Sequence, residues 1–119
     1  MKHILILISA LILVSCANEP LILDKGNDVE LILKLKDHRD IQKIEFTTRD
    51  EVVTLDKEDI KDYDQIIYNF NILGEDAVST CIFTSQDTIC NAEYVEINYK
   101  PILTFEDDEL KSSGSSLGY

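Results

Sequence analysis

The side chains with the most reactive chemistry are three cysteines and two histidines, and their spacing restricts what they can do. Cys81 and Cys90 stand nine residues apart, not in the C-x-x-C spacing of a redox or zinc pair. Cys16 closes an uncharged apolar run, "ILILISALILVSC", and His3 lies just ahead of that run. This leaves His38, in the turn "KDHRDI", as the one histidine of the remaining chain. A nucleophile needs a base in reach and a third group to orient that base. One turn histidine and scattered serines supply no Ser-His-acid ordering. The four glycines, at 26, 74, 114 and 118, form no phosphate-cradling loop. The chain is expected to be no enzyme and to need no cofactor.

Carboxylates are the remaining candidates. A pair could run glycoside hydrolysis, but with 23 Asp and Glu any pair can be chosen, and there is no Trp and little room for a deep cleft. Three oxygen-rich turns invite comparison with calcium loops: Asp24, Asn27 and Asp28; Asp56, Glu58, Asp59, Asp62 and Asp64; and Glu106 to Glu109. Calcium wants six to eight converging oxygens, and the EF-hand spacing with its glycine is absent. A solvated acidic surface is the simpler reading, so no metal site is assigned.

The stretch "DKEDIKDYDQ" suggests a contact surface instead. Asp59, Asp62 and Asp64 surround Ile60 and Tyr63, an apolar pair within an acidic rim that could steer and anchor a basic protein. The competing reading has Ile60 and Tyr63 plugging the end of the fold.

All the acids lie after Cys16, where they face ten Lys and Arg for a net charge of −13. Such a surface repels nucleic-acid phosphates and attracts cations or basic proteins. Nucleic-acid binding is excluded on this ground.

Lys2 and the apolar stretch Ile4 to Val14 have the make-up of a signal peptide; the stretch is far shorter than the roughly 20 residues of a membrane span. Its only polar residue is Ser9, so it has no amphipathic face to bury in a fold. Leu13-Val14-Ser15-Cys16 resembles the lipobox of bacterial lipoproteins. That resemblance implies a diacylglyceryl thioether on Cys16, cleavage just before it, and acylation (palmitate or a similar chain) of the new amino group. It places the protein in the bacterial cell envelope, held to a membrane by lipid. Ala17 after the cysteine implies the outer membrane if the bacterium has two. Ordinary secretory cleavage after Ala17 is the alternative.

With Cys16 assigned to lipid, an even pair of cysteines remains in a compartment where disulfides persist. "AVSTCIF" and "TIC" flank "TSQD", which reads as a tight turn. With Ser85 and Gln86 at its centre, Thr84 faces Asp87 and Cys81 faces Cys90, within reach of a disulfide.

The elements that carry these residues follow period two. Val29, Leu31, Leu33 and Leu35 share one face, as do Ile44 and Phe46, and Ile66, Tyr68, Phe70 and Ile72. Turn chemistry breaks the pattern at "DKGND", "DHRD", "TRDE", "GED" and "TSQD". The one helical candidate is a single turn capped by Asp56. About eight short strands imply an all-β fold, a small antiparallel β-sandwich of immunoglobulin-like type, with a small β-barrel as the alternative. "EYVEINYKPILTFEDDEL" is similar to the closing strands of small immunoglobulin-like domains of bacterial lipoproteins, where a "GYVExGY" element precedes a final strand; both glycines are missing here. Pro101 is expected at a sheet edge or where a strand changes sheets.

The expected organisation is a signal peptide over 1–15, a lipid-anchored tether over 16–20, the sandwich over 21–110 and a flexible tail over 111–119. The expected role is a non-catalytic binding or inhibitory module, of immunity or inhibitor type, for a basic protein. A structural or assembly accessory of an envelope complex is the alternative.

Overall fold

Alternating side chains can bury one face of a strand only if a second layer meets it, and here two sheets meet. The computed structural model describes residues 19–36 and 40–117. Its elements are β1 (Leu21–Lys25), β2 (Val29–Leu35), β3 (Ile41–Thr47), β4 (Val52–Asp56), α1 (Lys57–Ile60), β5 (Gln65–Phe70), β6 (Asp76–Thr84), β7 (Thr88–Val95), β8 (Tyr99–Glu106) and β9 (Glu109–Leu117). One sheet has the order β1-β5-β2-β8-β9 and the other β4-β3-β6-β7. The fold is a β-sandwich, not a closed barrel.

The period-two faces read from the sequence form the core. Val29, Leu31, Leu33, Leu35, Ile66, Tyr68 and Phe70 from the first sheet meet Ile41, Ile44, Phe46, Val78 and Ile82 from the second, all nearly inaccessible to solvent. Tyr68 is central: its ring lies 5.0 Å from that of Phe46 and 4.7 Å from that of Phe70. Its hydroxyl crosses to the opposite sheet and donates a 2.7 Å hydrogen bond to Glu51, in the β3–β4 turn. Burial, and then this bond to a carboxylate, raise the phenol well above its usual 10.0.

Strands β2 to β7 keep the Greek-key order of immunoglobulin-like sandwiches, with β2 and β5 facing a β4-β3-β6-β7 sheet. The flanks differ. The second sheet is antiparallel throughout, but the first is mixed: β1 runs parallel to β5, and β8 runs parallel to β2. The expected sandwich thus carries two parallel pairs among its antiparallel ones. Parallel pairs need long crossovers, and both pairs here join strands distant in sequence.

Two expectations change. The segment from residue 111 is not a flexible tail as far as Leu117, because β9 pairs with β8 from Glu106↔Glu109 to Tyr99↔Leu117. The ladder bonds are backbone bonds and need no apolar side chain. Pro101 does not mark an edge or a sheet change, since β8 lies inside its sheet. The β2 ladder begins one residue later, at Ile32↔Ile102, and the β9 register shifts between Pro101 and Leu103. The proline thus stands at the register shift of one ladder and just outside the other.

The single helical turn forms as expected at Asp56, whose backbone N–H donates to the Asp59 carboxylate at 2.9 Å. At the β6–β7 hairpin the Thr84 N–H donates to the Asp87 carbonyl at 2.8 Å, and Cys81 stands opposite Cys90. Counting outward from the hydrogen-bonded pair Thr84–Asp87 makes Cys81–Cys90 a non-hydrogen-bonded pair, the closer kind. Their α-carbons are 4.1 Å apart and the sulfurs are bonded. The bridge lies on the outer face of the sheet and braces one hairpin, rather than linking the two sheets.

Candidate interaction surface

The strand directions gather the connections into two groups at opposite ends of the sandwich. At one end lie the start of β1, α1 and its flanks, the β6–β7 turn and the β8–β9 turn. At the other lie the β1–β2, β3–β4, β5–β6 and β7–β8 connections.

The first end holds the residues expected to bind a partner, and it divides them. Ile60 is 2% exposed and belongs to the core. Tyr63 is half-buried, with its N–H bonded to the Ile60 carbonyl. Asp59, Asp62 and Asp64 are exposed, and the Asp59 carboxylate is engaged by the Asp56 N–H. Ile60 is therefore removed from the contact set; it closes the sandwich, as the competing reading of this stretch held. Cys16 and His38 lie outside the described residues.

The second end is built differently. Three of its connections are tied to one another by hydrogen bonds, and the fourth, β3–β4, is held to β5 and β6. The Asp28 carboxylate accepts from the Ile72 N–H at 3.0 Å, and the Asp28 carbonyl accepts from the Asn98 N–H at 2.7 Å. Asn71 Oδ1 accepts from the Asn27 N–H at 2.9 Å. Gly26 permits this contact, because a β-carbon there would lie 2.5 Å from the Asn71 nitrogen. Arg49 pairs with Asp76 at 3.9 Å, and Glu51 is held by Tyr68. Between Asp28, Asn69, Asn98 and Tyr99 lies an open polar depression of about 450 Å³.

Around these tied loops, apolar side chains are left in solvent. Of the five exposed large hydrophobic residues among the described ones, Val52, Leu73, Tyr94 and Ile97 belong to this end; Ile22 is the exception. Tyr94 meets Tyr99 edge-to-face at 6.1 Å, and the Tyr99 hydroxyl donates to Glu96 at 2.9 Å. Desolvation, followed by the carboxylates of Glu75 and Glu96, pushes the Tyr94 phenol up to about 12, so it is neutral at ordinary pH. The sequence reading missed this surface, since Leu73 lies 21 residues before Tyr94 and the three residues share no periodic pattern. The one local signal was an apolar residue inside a turn, Leu73 before "GED".

Among the described residues no group of three or more His, Cys, Asp or Glu converges as a metal site. No described helix is long and apolar enough to cross a membrane. No family model, curated protein or solved structure matches this chain.

Proposed function

We propose that this chain is a lipid-anchored lipoprotein of the bacterial cell envelope whose sandwich is a non-catalytic binding or inhibitory module for a basic protein. The lipobox-like Leu13-Val14-Ser15-Cys16 supports the anchor, and the net −13 after Cys16 supports the choice of partner. The observation that carries the reading is where the chain joins the fold. β1 starts at Leu21, at the end that holds α1. Five residues of extended chain from Cys16 reach at most about 18 Å. An anchor on Cys16 therefore keeps the α1 end near the membrane and leaves the end with the tied loops directed away from it. Rigid loops with exposed apolar side chains suit recognition, because little freedom is lost on contact.

Affinity capture from envelope extracts at low and high salt tests this. One basic partner, retained at low salt and released at high salt, is the expected result. Salt-indifferent recovery of several envelope proteins supports a structural accessory instead, and recovery of none counts against both.

A further inference from the structure

The end directed away from the proposed anchor combines exposed apolar groups with carboxylates around one aromatic ring. The β5–β6 connection delivers Leu73 and Glu75 to the start of β6, where Asp76 pairs with Val95 and Ala77 with Tyr94. Two residues beyond Val95 comes Ile97, and Glu96 receives the Tyr99 hydroxyl at 2.9 Å. Leu73, Tyr94 and Ile97 are 71%, 51% and 53% exposed; Tyr94 is paired with Ala77, and the residues next to the other two, Ile72 and Asn98, are bonded to Asp28. Tyr99 meets Tyr94 edge-to-face and steadies the ring while leaving half of it in solvent.

A half-open aromatic ring beside carboxylates is what a guanidinium needs. Its flat face stacks on the ring and its N–H groups reach the oxygens. We propose that Tyr94, with Glu75 and Glu96 beside it, anchors an arginine of the basic partner, while Leu73 and Ile97 receive apolar side chains next to that arginine. This rests on the binding-module reading and specifies its contact surface.

Charge complementarity selects this occupant over two others. A second copy would bring the same carboxylates face to face. A bilayer with anionic headgroups is repelled by them, and it lies at the opposite end if Cys16 carries lipid. Lysine stacks less well than arginine and cannot bridge two carboxylates in one plane.

The test uses the chain from residue 16 onward as Cys16→Ser, ¹⁵N-labelled, titrated with a short end-blocked peptide alternating leucine and arginine. Saturable amide shifts centred on Leu73, Glu75, Tyr94, Glu96 and Ile97 are expected. Glu75→Gln combined with Glu96→Gln should weaken binding about tenfold, and so should Tyr94→Ala, with thermal midpoints little changed because Glu75 and half of Tyr94 are exposed and a glutamine at 96 still accepts from Tyr99. A lysine-for-arginine peptide should bind several-fold more weakly. Glu58→Gln with Glu109→Gln, exposed acids at the other end, should have no effect.

Shifts centred on residues 57–64, or equal loss from both pairs of charge variants, overturn the proposal in favour of bulk acidity and leave the binding-module reading standing. No saturable shift, or self-association abolished by Leu73→Ser, also overturns it. A partner captured from extracts equally by parent and tip variants refutes this surface alone. Failure to capture any partner refutes the module reading beneath it.

Discussion

Replacing Tyr68 by Phe isolates a single hydroxyl at the centre of the fold. The ring is retained between Phe46 and Phe70, so no cavity opens. What is lost is the 2.7 Å bond to Glu51, which ties the first sheet to the β3–β4 turn of the second. A hydrogen bond to a charged group is worth about 1.5–3 kcal/mol. Glu51 is only half-buried and regains water when the hydroxyl goes, which places the cost near the bottom of that range, at about 1.5 kcal/mol. For a domain of this size that lowers the thermal midpoint by about 6–12 °C.

A pH series supplies a second reading of the same bond. The phenol is raised in the folded state above its ordinary 10.0. Below pH 10 it is neutral in both states, and its contribution is constant. Above pH 10 the unfolded tyrosine ionises while the folded one does not, so the unfolded state gains and stability falls by about 1.4 kcal/mol per pH unit. Tyr68→Phe lacks this fall, whereas the other tyrosines titrate alike in both proteins. The gap between parent and variant should therefore close to nearly zero by pH 11. Urea denaturation followed by circular dichroism at pH 7, 9, 10 and 11 measures it. A variant as stable as the parent at pH 7, or a gap that does not narrow above pH 10, refutes the reasoning.

Two further outcomes concern the hairpins. Cys81→Ser with Cys90→Ser, or reduction of the parent, should cost about 2–3 kcal/mol, the value for so short a closed loop, read as a lower urea midpoint at unchanged slope. Asp107 and Asp108 both have positive φ, 54° and 58°, as a two-residue type I′ turn requires. Asp107→Asn with Asp108→Gly should stabilise the chain by about 1 kcal/mol and raise the melting temperature; a lower one contradicts that turn geometry.

The core was legible because burial alternates along strands: every residue from Val29 to Leu35 and from Ile66 to Ile72 assigned inward from the period is inward. The disulfide was legible because a two-residue turn sets the register of everything beyond it. What stayed hidden depends on contacts between distant segments. "LILDK" does not say which strand it joins, so its parallel pairing with β5 is invisible in it. The serines of β9 carry no hydrophobic signal, yet their backbone pairs along β8. The α1 stretch presented acids and apolar residues together, but only tertiary packing shows Ile60 turned inward. The opposite end was illegible for the converse reason: only the pairing of β6 with β7 brings the β5–β6 connection with Leu73 to the same end as Tyr94 and Ile97.

The proposed orientation rests on lipid at Cys16, and whether lipid is attached there can be measured directly. Cells expressing the full chain are grown with radioactive palmitate, beside cells expressing Cys16→Ser, and the immunoprecipitated proteins are compared. Label in the parent and none in the variant is the predicted result. A parent that incorporates no label contradicts the anchor, and with it the orientation on which the binding surface was assigned.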